Sequence, residues 1–325
     1  MKTTAKAPSN IAFVKYWGRK DETLRLPENG SVSMNLSGLQ TTTTVEFSPK
    51  YAEDFIEING IREPNEGSRA VKHLDRIRGM AKIVDKAKVI TKNNFPTGTG
   101  LSSSASGFAA LTLASSKAAG LELSEKELSI LARQGSGSAC RSIPDGFVEW
   151  VDGNTSDTSF ALSIFPPDYF GIIDVVVVVS TEKKFLATSK GQKSARTSPF
   201  FERRLELIKD KIDRVKKAIE DKNFSEFGKL IETEALEFHL ILFTSNPPLF
   251  YWTPETVRLM KFVQKIRSEG LECYFTINTG QDIHLIVQEK DLNALKDRLK
   301  KVAEIKNIIV NSPANGTRVV GSHLF

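Results

Sequence analysis

The stretch Asn94-Phe-Pro-Thr-Gly-Thr-Gly-Leu-Ser-Ser-Ser-Ala-Ser-Gly-Phe-Ala-Ala-Leu111 constrains this chain more than any other. Asn94 to Gly100 is turn chemistry, with one Pro and two Gly. Ser102 to Ser106 supplies hydroxyls, and from about Ser103 the residues become Ala-rich and apolar at helical spacing, up to Ala119-Gly120. A glycine loop running into a helix leaves backbone N–H groups unpaired and aimed at one point, with the helix dipole behind them. Such a point takes an anion, above all phosphate. Gly98, Gly100, Ser102, Ser103, Ser104 and Ser106 are the candidate phosphate-loop residues. No Gly-Lys-Ser/Thr follows, so this is not the P-loop motif. Read alone, the same pattern serves equally as a plain connector.

Around it the chain reads as alternating strands and helices. Ile11–Val14, Thr41–Phe47, Phe55–Ile58 and Lys88–Thr91 have strand patterning, the last delivering the chain into the phosphate loop. Ser68 to Met80 carries Ala70, Val71, Leu74 and Ile77 at helical spacing, and Ser124-Glu-Lys-Glu127 is a capping box that opens a helix ending near Gln134. Ile172–Val179 is a near-continuous β-branched run, the mark of a strand covered on both faces. Lys183–Ser198 is polar and turn-rich, a ligand-contacting or mobile connection. Helices are predicted at about 200–221, 225–242 and 254–268, the last with Thr253 as cap, Pro254 at its first position and Gly270 past its end. Strands at about 272–277 and 283–288, a Lys-rich helix and a final strand near Ile308–Val310 complete the chain. The domain boundary is placed near 180, giving units 1–180 and 181–325, as 325 residues suit two domains.

The bulk numbers exclude several classes. The longest apolar run, Val175–Val179, is too short to span a bilayer, and the N-terminus lacks the apolar segment of a secretory signal. A cytoplasmic enzyme is therefore expected, with no membrane partner. The net charge of +6 is spread among interleaved acids, as in Lys209–Lys217, and no RNA-binding aromatic motif or zinc finger appears. Nucleic acid is not an expected partner; a heavily phosphorylated small molecule is. Cys140 and Cys273 have no CxxC or Cys/His company, and His73, His239, His284 and His323 are scattered, so buried free thiols and no metal centre are expected.

The segment Ala7-Pro-Ser-Asn-Ile-Ala-Phe-Val-Lys-Tyr-Trp-Gly-Arg-Lys20, the loop above, and Gly135-Ser-Gly-Ser-Ala-Cys-Arg-Ser142 with Gly146-Phe-Val-Glu-Trp150 resemble the diphosphomevalonate decarboxylase family, a decarboxylating branch of the GHMP small-molecule kinases. Leu26-Pro-Glu-Asn29, Thr197-Ser-Pro199, Glu237-Phe-His239 and Pro247-Pro-Leu-Phe-Tyr251 extend the likeness through most of the chain. The resemblance implies an α+β GHMP-kinase fold. Its N-terminal unit would be an α/β domain like ribosomal protein S5, its C-terminal unit a ferredoxin-like α+β domain, with the active site between them. A homodimer is the expected assembly.

The resemblance also implies roles. Tyr16, Arg19 and Lys20 match the clamp on the substrate's 5-phosphate groups, although by itself Lys15–Lys20 reads first as a surface cluster. Arg141 matches the residue that binds the carboxylate lost as carbon dioxide; the plainer alternative is an Arg paired with an internal acid. Ser138 and Ser142 would add hydroxyl contacts, and Lys15 would face the leaving phosphate. Asp145 stands where the family often has a second glycine. The decisive departure is Tyr274-Phe-Thr-Ile-Asn-Thr-Gly-Gln-Asp282, in which the family's catalytic Asp falls on Asn278 and its later Pro and Asn fall on Gln281 and Asp282. An amide has no proton affinity near neutral pH, so Asn278 cannot be a general base. A substrate already phosphorylated on its 3-hydroxyl needs none, and a neutral amide spares it the repulsion of a carboxylate. Gln192, where the family usually has Met, is a second polar change. A single Asp→Asn change in an ordinary enzyme would look the same at 278, though not at 281 and 282.

The expected reaction is thus decarboxylation of mevalonate 3,5-bisphosphate to isopentenyl phosphate without a cofactor, as in the variant of this family found in some archaea. The ordinary reaction, using ATP and magnesium on diphosphomevalonate, is the alternative. A kinase that stops at the 3-phosphate, or a silent sensor of isoprenoid precursors, are further ones.

Overall fold

Two sheets organise the chain, and the site lies where the elements between them meet. The computed structural model describes every residue except 67, 97–99, 181–187 and 304, and omits the side chains of 189 and 190. Gly98, and the first part of the polar connection after 180, therefore lie outside the described residues. The first part contains β1 (Lys2–Val14), β2 (Arg19–Asp21), β3 (Leu26–Pro27), β4 (Ser31–Ser48), β5 (Phe55–Ile58), β6 (Ile61–Arg62), α1 (Arg69–Ala81), β7 (Lys86–Asn93), α2 (Ser103–Ala118), α3 (Glu125–Gly135), β8 (Phe147–Trp150) and β9 (Ala161–Phe165). A 3-10 segment, Gly137–Ser142, follows α3. The second part contains β10 (Ile172–Val178), α4 (Thr188–Gly191), α5 (Phe201–Glu220), α6 (Phe224–Phe243), α7 (Pro254–Ser268), β11 (Cys273–Thr276), β12 (Ile283–Gln288), α8 (Leu292–Leu299), β13 (Asn307–Asn311) and β14 (Arg318–Val320).

The first sheet runs β14-β1-β4-β7-β5-β6, with β8 on β4 and β9 on β8. Its β5–β7 pair is parallel and the rest are antiparallel. β1 and β4 pair from Lys2↔Glu46 to Val14↔Val32, with an irregularity between Ala12 and Val14. One pair beyond that irregularity the pairing stops, and the chain leaves the sheet at Lys15. The second sheet runs β11-β12-β10-β13 and is antiparallel throughout.

Packing follows the side-chain alternation. Val45, Phe47 and Val89 of the first sheet pack with Leu74 and Ile77 of α1 and Leu111 of α2. On the other side, Ile11, Phe13 and Met34 meet Ile212 of α5 and Phe227 of α6, together with Val176 and Ile286 of the second sheet. Val175, Val177 and Phe275 turn instead toward Leu259 and Val263 of α7 and Leu295 of α8. β10 is thus buried on both faces, as its unbroken β-branched run predicts. The capping box at Ser124 and the Thr253–Pro254 helix start both form.

One feature differs from the sequence expectation. The chain does not finish with the strand near Ile308–Val310, because β14 returns to β1 with Thr4↔Val320 and Lys6↔Arg318. Asp145 helps hold this return, accepting from Gly316 N at 2.6 Å and pairing with Arg318. β10 hydrogen-bonds with β12 and β13, whereas β14, near the chain's end, joins the first sheet.

Candidate active site

Lys15 leaves β1 at the irregularity and is buried, 3% exposed, so it is not part of a surface cluster. Its Nζ donates to Ala12 O at 2.5 Å and to Asn278 Oδ1 at 3.2 Å. Asn278 Nδ2 in turn donates to Ser102 Oγ at 3.1 Å, linking Lys15 to the head of α2. His239 Nε2 lies 3.2 Å from Asn278 O and steadies that backbone. Burial, with Lys15 nearby, pushes His239 down to about 3, so its ring is neutral and donates. Below Lys15, Glu234 accepts from Lys15 N at 3.0 Å, and Arg204 donates to Lys15 O at 2.8 Å and to Glu234 at 2.5 Å. Both ends of the Lys15 backbone are thus gripped by one buried ion pair. Burial holds the Lys15 ammonium well below its ordinary range, with Glu234 opposing the shift and Arg141 adding to it.

Arg141 sits in the 3-10 segment after α3 and is 5% exposed. Among the described residues it pairs with no internal acid: Nη1 donates to Ser31 Oγ at 2.9 Å and Nη2 to Asn10 Oδ1 at 3.1 Å. Asn10 Nδ2 donates to Ser142 Oγ at 2.8 Å, so Ser142 positions Arg141 through Asn10 and lies outside the cavity lining. Lys15, Arg141, Asn278, Tyr16, Ser102, Ser104, Ser138 and Gln192 line one cavity of about 90 Å³, with Trp17, Phe238 and Thr279 among its walls. Gly100 belongs to it for a steric reason. It has φ +118°, and a Cβ there would come within 2.6 Å of Gly280 Cα, so only glycine lets the phosphate loop touch the loop carrying Asn278. Gln192 does more than line the wall, since its Oε1 accepts from Gly18 N at 2.7 Å.

A second cavity of about 210 Å³ adjoins the first, sharing Tyr16, Ser102, Ser104, Ser138 and Gln192 and adding Ser103, Arg19, Arg25 and Arg69. Arg19 Nε donates to Tyr16 OH at 2.8 Å, and its Nη1 meets Glu22 at 2.6 Å. Lys20 is exposed and turned away, donating to Asn154 Oδ1 at 2.9 Å, so it does not join the clamp expected of it. In its stead the structure brings in Arg25 and Arg69, which no motif marks. Ser106 is also displaced from the expected set: it is fully buried and bonded to Thr41 Oγ1 at 2.6 Å, serving to dock α2 on the first sheet. Ser103 and Ser104 also border a third, mainly apolar cavity of about 280 Å³ walled by Ile56, Ile58, Val89, Phe108 and Leu111.

Among the described residues no Asp or Glu lines either of the first two cavities. Asp282 is buried and accepts from Val179 N at 3.1 Å, away from both. No group of His, Cys, Asp or Glu suited to a metal occurs among the described residues. Cys140 and Cys273 are buried free thiols, Cys140 pushed up to about 12 by burial. No described helix is long and apolar enough to cross a membrane. The site is therefore a cationic trough with Lys15 and Arg141 at one end and three guanidiniums at the other. Its charge suits a small anion bearing carboxylate or phosphate groups.

Comparison with known proteins agrees with this fold. The family model for the diphosphomevalonate decarboxylase-like N-terminal domain matches residues 7–161. That for the mevalonate 5-diphosphate decarboxylase C-terminal domain matches 174–319. The diphosphomevalonate decarboxylase of Candida albicans is 35% identical over 313 residues, 91% of this chain and 86% of that protein. A structure of the mevalonate diphosphate decarboxylase from Enterococcus faecalis, concerned with ATP binding mediated by mevalonate diphosphate, superposes with a TM-score of 0.90 at 36% identity over 99% of both chains. Another, described as MDDEF in complex with MVAPP, AMPPCP and magnesium, gives 0.92 at 35% identity over 99% of both chains.

Proposed function

This chain belongs to the diphosphomevalonate decarboxylase family and is a carboxy-lyase acting on phosphorylated mevalonate, and from that premise we propose that its leaving 3-phosphate arrives already on the substrate. The observation that carries this reading is Asn278. An amide held between Lys15 and Ser102 stands where a base would be needed to activate a 3-hydroxyl, and no carboxylate among the described residues lines the trough. Mevalonate 3,5-bisphosphate would lie with its carboxylate on Arg141 and its 5-phosphate on Arg19 and its neighbours. The bond from the carboxylate carbon to C2 breaks, its electron pair forms the C2–C3 double bond, and the C3–O bond breaks with the pair leaving on phosphate. Carbon dioxide, inorganic phosphate and isopentenyl phosphate result, with no external oxidant or nucleotide. Catalysis is electrostatic: Lys15 and the Asn278 amide face the charge that grows on the departing phosphate. A phosphate dianion beside Lys15 supplies the counter-charge that burial denies it, keeping its proton in place.

A second reading is the one the relatives support: ATP- and magnesium-dependent conversion of diphosphomevalonate to isopentenyl diphosphate. The solved relatives are described with AMPPCP and magnesium, and with ATP. The apolar cavity beside Ser103 and Ser104 also favours it, since its walls suit a purine ring with the phosphates turned toward the head of α2. There the nucleotide would supply the phosphoryl group for the 3-oxygen. Magnesium would depend on its phosphates and the hydroxyls of Ser102, Ser103 and Ser104. No named relative speaks for an archaeal bisphosphate enzyme, so the first reading stands on the Asn278 site alone. Lys15 and Arg141 together argue against a silent sensor, which has no need of a group facing a departing phosphate.

Asn278→Asp separates the two. If the substrate brings its own 3-phosphate, the new carboxylate faces it at close range, a repulsion of several kcal/mol at ~4 Å and an effective dielectric of about 20, and turnover falls. Gain of decarboxylation of diphosphomevalonate by this variant, with ATP hydrolysed in step, would replace the first reading by the second.

A further inference from the structure

We infer that Arg25 is a substrate-binding residue for the phosphoryl group at the end of the substrate away from its carboxylate, its backbone held in a left-handed conformation that sets its guanidinium beside Arg69. For the ligand's identity this rests on the phosphorylated-mevalonate reading above.

The backbone supplies the first observation. Arg25 has φ 53°, in the turn between β2 and β3. An L-residue with a long side chain rarely sits there, and Gly or Asn would do so with less strain. Lys82, also at positive φ, simply ends α1 as its C-cap. The turn at Arg25 is pinned from outside: Asp21 Oδ1 accepts from Leu24 N at 2.6 Å, and the buried Arg133 donates from Nε to Leu24 O at 3.0 Å. Strain kept by a surrounding structure that over-determines it points to use of the side chain it presents.

The side chain supplies the second. Arg25 Nε donates to Gln134 O at 3.1 Å, and Arg69 Nη2 donates to Gly135 O at 2.7 Å. These are successive carbonyls at the C-terminal end of α3, where the helix dipole favours cations. Among the described residues neither guanidinium pairs with a carboxylate, whereas Arg19 beside them is tied to Glu22. Desolvation and the charge of Arg19 hold Arg25 below its usual range. Desolvation, Arg25 and Arg19 lower Arg69 to about 10. Guanidiniums crowded in this way repel one another until an anion lies between them. With Tyr16 common to both cavities, this cluster is the far end of the trough from Arg141.

The test uses the full chain and three substitutions, Arg25→Gln, Arg25→Lys and Arg25→Gly. Isothermal titration with mevalonate 5-phosphate, mevalonate 5-diphosphate and unphosphorylated mevalonate is expected to show Arg25→Gln weakening the phosphorylated ligands about tenfold, leaving the unphosphorylated one within twofold. The weaker of the two phosphorylated effects identifies the form that contacts Arg25 less. In kinetics KM rises and kcat holds, as for a contact made equally in ground and transition states, and Arg25→Lys recovers part of the loss. Arg25→Gly is expected to melt no lower than the parent, because strain is relieved while binding is lost. Inorganic pyrophosphate keeps this inference separable from the functional one. A parent that binds pyrophosphate and an Arg25→Gln variant that binds it about tenfold less support Arg25 even if no mevalonate derivative is turned over. Equal pyrophosphate binding by the two proteins, or none by the parent, overturns it.

Discussion

Lys15 and Arg141 share a cavity without a lining carboxylate among the described residues, so each meets substrate with most of its charge uncompensated from the cavity side. Arg141→Ala is expected to lower kcat by tens- to thousands-fold, the loss of a buried charge-assisted contact worth roughly 2–5 kcal/mol. Kinetics within threefold of the parent would remove Arg141 from the mechanism. Glu234 is the neighbour that most favours the charged form of Lys15, against burial and the cations Arg141 and Arg204. Glu234→Gln should therefore let Lys15 lose its proton at lower pH, moving the basic limb of the kcat/KM profile downward. An unmoved limb would mean that the Lys15 ammonium is not the group that limits the rate at high pH. Lys15, Arg141 and Asn278 are legible in the sequence because they lie inside motifs. Glu234 and Arg204 are not, because they reach Lys15 from separate helices through its backbone. Arg25 and Arg69 meet only through the end of α3. Conversely Lys20 and Ser106 sit inside motifs but are turned elsewhere, Lys20 by Asn154 and Ser106 by Thr41.

At the level of elements, the approach of α6 to β11 decides how closely Asn278 can be brought to Lys15. Gly228 permits it, since a Cβ there would lie 1.9 Å from the Tyr274 ring. Gly228→Ala is expected to cost about 1–3 kcal/mol in overpacking strain. A denaturation midpoint equal to the parent's would show that the contact has slack. Helices were the most readable elements, for α1, α3 and α7 carry their own caps in the sequence. β14 was not readable: it is three residues long at a sheet edge, and Arg318 and Val319 are exposed, leaving no apolar alternation to detect. β4 is legible only from Thr41, because its first half pairs with β1 and β8 and is buried on both faces without a period.

For the whole molecule, the return of β14 to β1 closes the chain across the two sheets, and buried polar groups on both sides of the trough couple stability to pH. His73 and His239 are both held neutral, at about 3, by burial and nearby cations, against an ordinary 6.5. The unfolded chain therefore takes up protons that the fold refuses. Their contribution is complete above pH 6.5, is lost as pH falls from there toward 3, and changes no further below. At pH 5 each histidine should have cost roughly 1–2 kcal/mol, so urea unfolding at pH 5 and 7.5 is expected to differ in that direction. Equal stabilities would contradict the neutral, buried assignment of these rings. Where the 3-phosphate comes from is decided by carbon dioxide release from mevalonate 3,5-bisphosphate with no nucleotide present. Release is expected at a rate unchanged by added ATP, with one phosphate per carbon dioxide. No release without ATP, together with ATP-dependent release from diphosphomevalonate, would mean that the nucleotide supplies the 3-phosphate.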